Sequence, residues 1–364
     1  MPHTGATLKR RSRGQAGVTL VELMVSMVIG LIIIAGLGSI YLAASNVFRS
    51  LDASSRLQEN VRYAFERVTN DVRMAGYTGC SYTTVANVLN GNTAWNLNLF
   101  SRPLAGYEDS VDTFPTELSS NRLRGDSLVL LRADNSREFI IESHNTSSAT
   151  IKLVGSHDIV DGQIVVATDC KHAAIFQVTN ANVANSTLVH NTGTGTPGNC
   201  TKGLGSPVVC STNGTPYEFP PGSRILRFSG LAYYIRNNAV GEPALHRQVL
   251  GVSGSTTAEE VVDGIENMQI RYGVDTTPTA DGSVDVYTTA DDVLVQAPGA
   301  TNDDKWARVL AIRISLVAVS TAQQQLSSQI VPYVYDGATV TPTDRRLRKV
   351  FTTTIAVRNR LGGT

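Results

Sequence analysis

Residues 18–44 read Val-Thr-Leu-Val-Glu-Leu-Met-Val-Ser-Met-Val-Ile-Gly-Leu-Ile-Ile-Ile-Ala-Gly-Leu-Gly-Ser-Ile-Tyr-Leu-Ala-Ala. Glu22 is the only formal charge from Val18 to Phe48, and Leu23–Ala44 is an uncharged run of 22 residues. As a helix that run is ~33 Å long at ~1.5 Å per residue, enough to cross a hydrocarbon core of ~30 Å. A secretory signal peptide has a shorter apolar core, about 7–15 residues, and a small-residue cleavage site after it. Ala43-Ala44-Ser45 has the composition of such a site, but the length of the run and the acid inside it argue against that reading.

Upstream, residues 1–17 contain Lys9, Arg10, Arg11 and Arg13 and no acid. A short basic segment ahead of an apolar run is a targeting arrangement, because positive charge stays on the cytoplasmic side. The whole chain is neutral, with 31 basic and 31 acidic residues among 364, so the remainder carries a small acidic excess. Neutrality argues against a general nucleic-acid binder, which carries a basic excess. A single long apolar stretch excludes a polytopic membrane protein.

Downstream, Leu57, Val61, Ala64, Phe65, Val68, Val72 and Ala75 recur at steps of three and four, one face of an amphipathic helix. Arg56, Glu59, Arg62, Glu66, Arg67, Asp71 and Arg73 fall between them and read as a solvated face, with helical neighbours such as Glu59 with Arg62 and Arg67 with Asp71. No proline interrupts residues 18–75, and Gly76 is a C-terminal stop. The pattern predicts one helix from Val18 to Ala75, ~87 Å long. Its first half is apolar all round and belongs in lipid or a helix bundle. Its second half has a single apolar stripe and lies against a globular domain.

Gly14-Gln-Ala-Gly-Val-Thr-Leu-Val-Glu-Leu-Met24 resembles the class III leader junction of type IV pilins and type II secretion pseudopilins. That family has a basic leader ending in glycine, then usually Phe-Thr-Leu-Val-Glu and an apolar helix. Gly17, Thr19, Leu20, Val21 and Glu22 match; Val18 stands where phenylalanine is usual. Arg73–Cys80, Val262–Gly273 and Arg348–Arg360 are similar to PilW-type minor pilins. The resemblance implies cleavage between Gly17 and Val18 by a prepilin peptidase, N-methylation of Val18, and an assembly role for Thr19, Leu20, Val21 and Glu22.

Physical chemistry gives Glu22 a parallel reading. An acid at the centre of a membrane helix costs ~2.5–3.5 kcal/mol on insertion scales, and less near its end. An opposite charge ~4 Å away returns about 4 kcal/mol at an effective dielectric of 20. After cleavage, a neighbouring subunit's α-amine could supply that charge. The alternative is a carboxylate that only favours the positive end of its own helix.

Beyond Gly76 the pattern changes to short β-branched runs bounded by Gly, Asn, Asp and Pro. Strands are predicted at Ser127–Arg132, Glu138–Ile141, Thr150–Val154, Gln163–Thr168, Ala174–Val178, Arg224–Phe228, Leu231–Ile235, Met268–Tyr272, Val309–Val319 and Val350–Val357. In Val309–Val319, Leu310, Ile312, Ile314 and Leu316 alternate with Arg313 and Ser315, as a half-buried antiparallel strand requires. Residues 77–125 read as an irregular connection with one short helix, and 191–222 as a loop. The expected fold is α+β and pilin-like: a long N-terminal helix, transmembrane then amphipathic, packed on a β-rich, mainly antiparallel periplasmic head. The divisions are 1–17 leader, 18–44 transmembrane and assembly helix, 45–76 amphipathic helix and 77–364 head.

Cys80, Cys170, Cys200 and Cys210 follow the membrane segment and would face an oxidising compartment. Four cysteines allow three pairings, which sequence alone does not choose between. Cys80–Cys170 with Cys200–Cys210 is the favoured one: the second closes a Gly/Pro loop, and the first ties the helix exit to the sheet, worth about 4–5 kcal/mol by chain entropy. Free thiols are the alternative.

No catalytic, metal or cofactor site is expected. The Gly193-Thr-Gly-Thr-Pro-Gly198 segment matches a dinucleotide fingerprint literally but leads into a loop, with no helix to hold a pyrophosphate. Gly251-Val-Ser-Gly-Ser255 departs from a nucleophile elbow at its last position. His144, His157, His172, His190 and His246 read as scattered surface residues, and no two lie at zinc-ligand spacing. Asp275, Asp281 and Asp285 beside Gly282 hint at a calcium loop, but their spacing is not that of an EF-hand and a solvated turn is the simpler reading.

The resemblance thus implies a structural protein, a minor pilin that primes or caps type IV pili. It would sit in the bacterial inner membrane with its head in the periplasm, and enter the pilus with other minor pilins and the major pilin through the inner-membrane assembly platform. A minor pseudopilin of type II secretion is the near alternative. A membrane-anchored periplasmic enzyme or binding module is the distant one.

Overall fold

The computed structural model describes residues 17–91, 97–109, 122–193, 195–250, 256–321 and 329–360. It divides into two compact units, the first ending at Asp52 and the second beginning at Ala53. One helix, α1 (Leu20–Arg73), contributes to both. In the first unit every large apolar side chain of α1 is at least half exposed. In the second, Leu57, Val61, Ala64, Val68 and Val72 of the expected stripe are buried, joined by Ala53, while Phe65 is only half-buried. The chain leaves the helix at Gly76, whose φ of +75° is left-handed and suits glycine. The Gly76 N–H bonds to Leu131 O at 2.8 Å, which fixes the exit against the sheet.

The head is built from seventeen strands among the described residues. The first eight are β1 (Thr84–Asn87), β2 (Leu104–Tyr107), β3 (Ser127–Asn145), β4 (Thr150–Leu153), β5 (Ile164–Thr168), β6 (His172–Gln177), β7 (Asn180–Asn182) and β8 (Thr187–Val189). Then come β9 (Arg224–Asn237), β10 (Pro243–Leu250), β11 (Thr256–Asp263), β12 (Ile265–Val274) and β13 (Val286–Thr288). Two short helices, α2 (Ala290–Gln296) and α3 (Asn302–Ala307), precede β14 (Val309–Val319), β15 (Tyr333–Tyr335), β16 (Ala338–Val340) and β17 (Arg348–Ala356).

The larger sheet runs β1-β6-β5-β9-β3-β4-β8-β7, with β10 and β11 attached beyond β9 and β2 beside β3. A second sheet has the order β13-β12-β14-β17, and β15 and β16 pair as a hairpin. Among the described residues only β1 with β6 is parallel, and every other strand pair is antiparallel.

The α1 stripe packs into a core with Leu231, Tyr233 and Ile235 of β9, Ile270 of β12 and Ile312 and Ile314 of β14. Two further cores lie within the head. One surrounds Phe139, Phe176 and Phe219, the other Leu131, Val166, Leu226 and Tyr234. Each fully buried Leu, Ile, Val or Phe contributes roughly 1.5–3 kcal/mol.

Several boundaries differ from the sequence reading. The two runs at 127–132 and 138–141 are one strand, β3, whose register with β9 shifts between Asp134 and Phe139. The runs at 224–228 and 231–235 are likewise one strand, because Ser229 and Gly230 stay paired with Arg132 and Leu131. β10 and β11 were not anticipated, and the connection 77–125 carries β1 and β2. The short helix expected there has no counterpart among the described residues.

Candidate functional site: the head of α1 and its anchor

Thr19 and Glu22 start the helix as a reciprocal pair. The Glu22 N–H donates to Thr19 Oγ1 at 3.3 Å, and the Thr19 N–H donates to Glu22 Oε2 at 3.0 Å. Thr19 Oγ1 also donates to Glu22 Oε2, at 3.1 Å. The sequence Thr-x-x-Glu at a helix start is a capping box, which satisfies two backbone donors that would otherwise lack partners. Glu22 therefore has an intrachain partner, as the helix-end alternative requires.

Leu20 and Val21 point outward, 75% and 68% exposed. Gly17 and Val18 precede the helix, and a Cβ built on Gly17 meets nothing within 4 Å. Among the described residues nothing requires glycine at 17. The basic residues of the leader lie outside the described residues.

The other polar groups of the span are satisfied locally. Ser26 Oγ donates to Glu22 O at 2.7 Å and Ser39 Oγ to Gly36 O at 2.8 Å. The span is long and apolar enough to cross a membrane, and no residue of its most apolar stretch is buried, unlike the core helix of a soluble domain.

The far end of α1 is anchored by a charge network that the sequence reading missed. Asp71, whose charge predicts the solvated face, is 4% exposed. Its Oδ1 lies 3.2 Å from Arg132 Nη2 of β3, and its Oδ2 accepts from Arg247 Nε of β10 at 2.9 Å. Tyr233 of β9 donates to the same Oδ2 at 2.5 Å. Burial, then the adjacent Asp71 charge, push the Tyr233 phenol well above its usual pKa, so it stays a donor. Arg247 continues to Glu259 of β11 at 2.8 Å, and Arg67 reaches Glu259 at 3.6 Å. Arg67 thus pairs with the hairpin, not with Asp71 four residues along the helix.

Disulfides join Cys80 to Cys170 and Cys200 to Cys210. The first ties the segment after α1 to the β5–β6 turn. The second closes part of the 191–222 loop.

The histidines are not surface residues. His144, His157, His172, His190 and His246 are all 5% exposed or less. His144 and His190 meet Nε2 to Nε2 at 3.1 Å, against Phe219 and Phe176. The Phe219 N–H donates to His144 Nδ1 at 3.1 Å, so the proton of the neutral His144 ring sits on Nε2 and is donated to His190. A metal between the two Nε2 atoms would need that proton on Nδ1, where Phe219 already points one. Among the described residues no group of three or more His, Cys, Asp or Glu could hold a metal.

The remaining motifs also have internal explanations. The Gly198 N–H, which a pyrophosphate would need, donates to Gln177 Oε1 at 2.8 Å. Residue 194 of that segment and all of 251–255 lie outside the described residues. Asp275 is 1% exposed and accepts from the backbone N–H groups of Thr277, Asp281 and Gly282 at 3.0–3.3 Å. Its lone pairs organise the turn and are not left for a cation.

An exposed apolar helix opened by Thr-x-x-Glu and continued into a β-rich domain is the arrangement that the resemblance to prepilin-type subunits implies. Two comparisons carry this further. The prokaryotic N-terminal methylation motif matches residues 12–38, and the type IV pilus-assembly protein W family matches residues 232–359. These two matches support a PilW-type minor pilin of type IV pilus biogenesis. No curated relative and no solved structure matches it. The family matches imply a structural, non-enzymatic protein that is membrane-associated and works with the pilus machinery.

Proposed function

We propose that residues 1–17 are a class III leader, removed between Gly17 and Val18 by the prepilin peptidase, and that the new Val18 amine is methylated. Residues 18–44 then hold the subunit in the inner membrane and later in the helical core of the pilus. Residues 45–76 support the head, and 77–364 form that head in the periplasm. The subunit joins other minor pilins in priming or capping the pilus, entering from the inner-membrane assembly platform beside the major pilin. It catalyses no reaction and needs no cofactor. The carrying observation is the capped, unburied apolar helix that opens directly after Gly17, where no described neighbour requires glycine, which supports a role for Gly17 as substrate of another protein.

In this reading Glu22 exchanges its own capping box for a neighbour's amine during assembly. The test is the mass of the mature N-terminus. Gly17→Trp is expected to leave the leader attached, retaining a product longer by residues 1–17. A mature chain beginning at Ser45 would overturn the reading.

A further inference from the structure

Residues 122–126 form a strap between the two sheets of the head. At one end the Leu123 N–H donates to Ile235 O of β9 at 2.8 Å, and at the other the Asp126 N–H donates to Met268 O of β12 at 2.8 Å. The Asp126 side chain completes the junction. Its Oδ2 accepts from the Ile270 N–H and from Gln269 Nε2, each at 2.7 Å, and its Oδ1 from the Asp109 N–H at 3.3 Å. One residue thus covers a donor and an acceptor on the edge of β12, where β13 pairs only with Tyr272–Val274. Gly125 permits this approach, since a Cβ there would lie 2.8 Å from the Met268 backbone nitrogen and oxygen.

Asp126 is 2% exposed, and none of the ion pairs among the described residues includes it. The charged groups around it come from four elements. Glu108 and Asp109 follow β2, and Asp109 is held by Arg122 of the strap at 3.2 Å. Arg271 of β12 is engaged by Asp336 of the β15–β16 turn. Arg124 of the strap turns to Glu266, 3.6 Å away. The Tyr335 hydroxyl of β15 is buried without a hydrogen-bond partner, and it too responds to the Asp126 charge. A carboxylate so placed has neutral donors and like-charged neighbours but no paired cation, which makes its ionised form costly.

We propose that Asp126 is a pH-dependent clasp between the two sheets: with its carboxyl neutral the strap holds to β12, and loss of the proton loosens that edge. Burial, then the Glu108 charge, raise its pKa from the usual 3.8 to about 7, against the opposing bond from Ile270. A raised folded pKa stabilises the closed state fully below the unfolded value and loses that contribution as pH rises through the folded one. Opening should therefore increase by up to about tenfold per pH unit between about 4 and 7, then level off. With the head in the periplasm, a consequence that rests on the proposed placement while the clasp does not, the junction would respond to pH outside the cytoplasm.

The test is hydrogen exchange of the full chain in detergent micelles from pH 5 to 8, read on the peptide covering 265–274 and divided by the intrinsic exchange rate at each pH. Corrected opening of the wild type should rise to about pH 7 and then flatten. Asp126→Asn keeps the acceptor but cannot ionise, so its profile should be flat; the same slope in both proteins would overturn the clasp. Should Asp126→Asn fail to fold, Glu108→Gln serves, because it retains an acceptor for the Ala290 N–H while removing the like charge. Its levelling point should move to lower pH, and an unmoved one would overturn the proposal.

Discussion

From Val18 to Leu51 every large apolar side chain is at least half exposed, whereas Ala53, Leu57, Val61, Ala64, Val68 and Val72 are 4% exposed or less. Both stretches belong to one helix with one backbone geometry, so the contrast is a contrast of surfaces. The second obeys the rule of soluble proteins, one apolar face against a core and polar residues elsewhere. The first is apolar all round and has no core to enter. Lipid or other helices must cover it, since each of its many large side chains would otherwise forfeit roughly 1.5–3 kcal/mol in water. The acids at the two ends differ in the same way. Glu22 sits exposed in a capping box at the start, and Asp71 sits buried among two arginines and a tyrosine near the end.

The largest expected effect is on assembly, through Glu22. Glu22→Ala should leave insertion intact, because the span becomes more apolar, yet the subunit should be absent from sheared pili. Glu22→Gln separates charge from capping, since glutamine also completes a capping box. A Gln variant that assembles like the parent would mean that the box, and not the charge, is what matters. Processing must be followed in both variants, because an uncleaved chain would fail for another reason.

At the other end the expected loss is of stability. Asp71→Ala leaves Arg132 and Arg247 buried without their acid, which typically costs ~3–5 kcal/mol. Denaturant unfolding of the head should show it, with membrane insertion unchanged. A loss below about 1 kcal/mol would mean that solvent reaches the network.

The difference between these two acids also explains what could be read from sequence. The stripe was legible because seven apolar residues repeat at helical spacing, and β14 because Val309–Val319 alternates. Asp71 was assigned to the solvated face by its charge, although it lies three residues after Val68 and four before Ala75, a stripe position. Spacing, weighed above charge, would have found it. His144 was hidden by geometry. Ile141 is buried, so strict alternation points Ser143 inward and His144 outward, but the β3–β4 register shifts between Ile141 and Ser143 and reverses the phase. β10 lies between β9 and β11 with polar His246, Arg247 and Gln248 buried in it, and β11 is an edge strand with Glu259 and Glu260 exposed, so neither carries an apolar alternation that reveals it. Asp126 had no signal at all: its burial depends on β12, which lies more than a hundred residues further along the chain.

The histidine pair gives the next smaller effect, a dependence of head stability on pH. Burial pulls His144 down to about 4, and burial with the His144 charge pulls His190 down to about 3, from a usual 6.5. A depressed folded pKa means that the unfolded chain takes up protons first. The contribution is complete above about pH 6.5 and is lost as pH falls toward 4 and 3. At pH 5 the head should be less stable than at pH 7 by about 2–4 kcal/mol, given ~1.4 kcal/mol per pKa unit for each ring and incomplete additivity. The Asp126 clasp has the opposite sign, so His144→Gln should leave the clasp's trend exposed in thermal melts. A Gln variant with the parent's acid sensitivity would show that the pair is not its source.

The smallest effects come from making one substitution on both surfaces of α1. Val68 is 1% exposed in the core with β9, β12 and β14, and Val28 is 55% exposed in the apolar span. Val68→Ala removes two buried methyl carbons at ~0.8 kcal/mol each and leaves a void, for a loss of about 2 kcal/mol in head stability. Val28→Ala removes the same atoms from a surface that touches no core, and detergent can fill the space, so head unfolding should change by less than about 0.5 kcal/mol. Helix propensity does not blur the comparison, because alanine exceeds valine by the same few tenths of a kcal/mol in both places. Both variants can be unfolded in the same micelles with the same probe, near-ultraviolet circular dichroism of the head aromatics. If Val28→Ala destabilised the head as much as Val68→Ala, the apolar span would have to be packed on the head in the free subunit, and its exposure would not be available for lipid or for neighbouring helices.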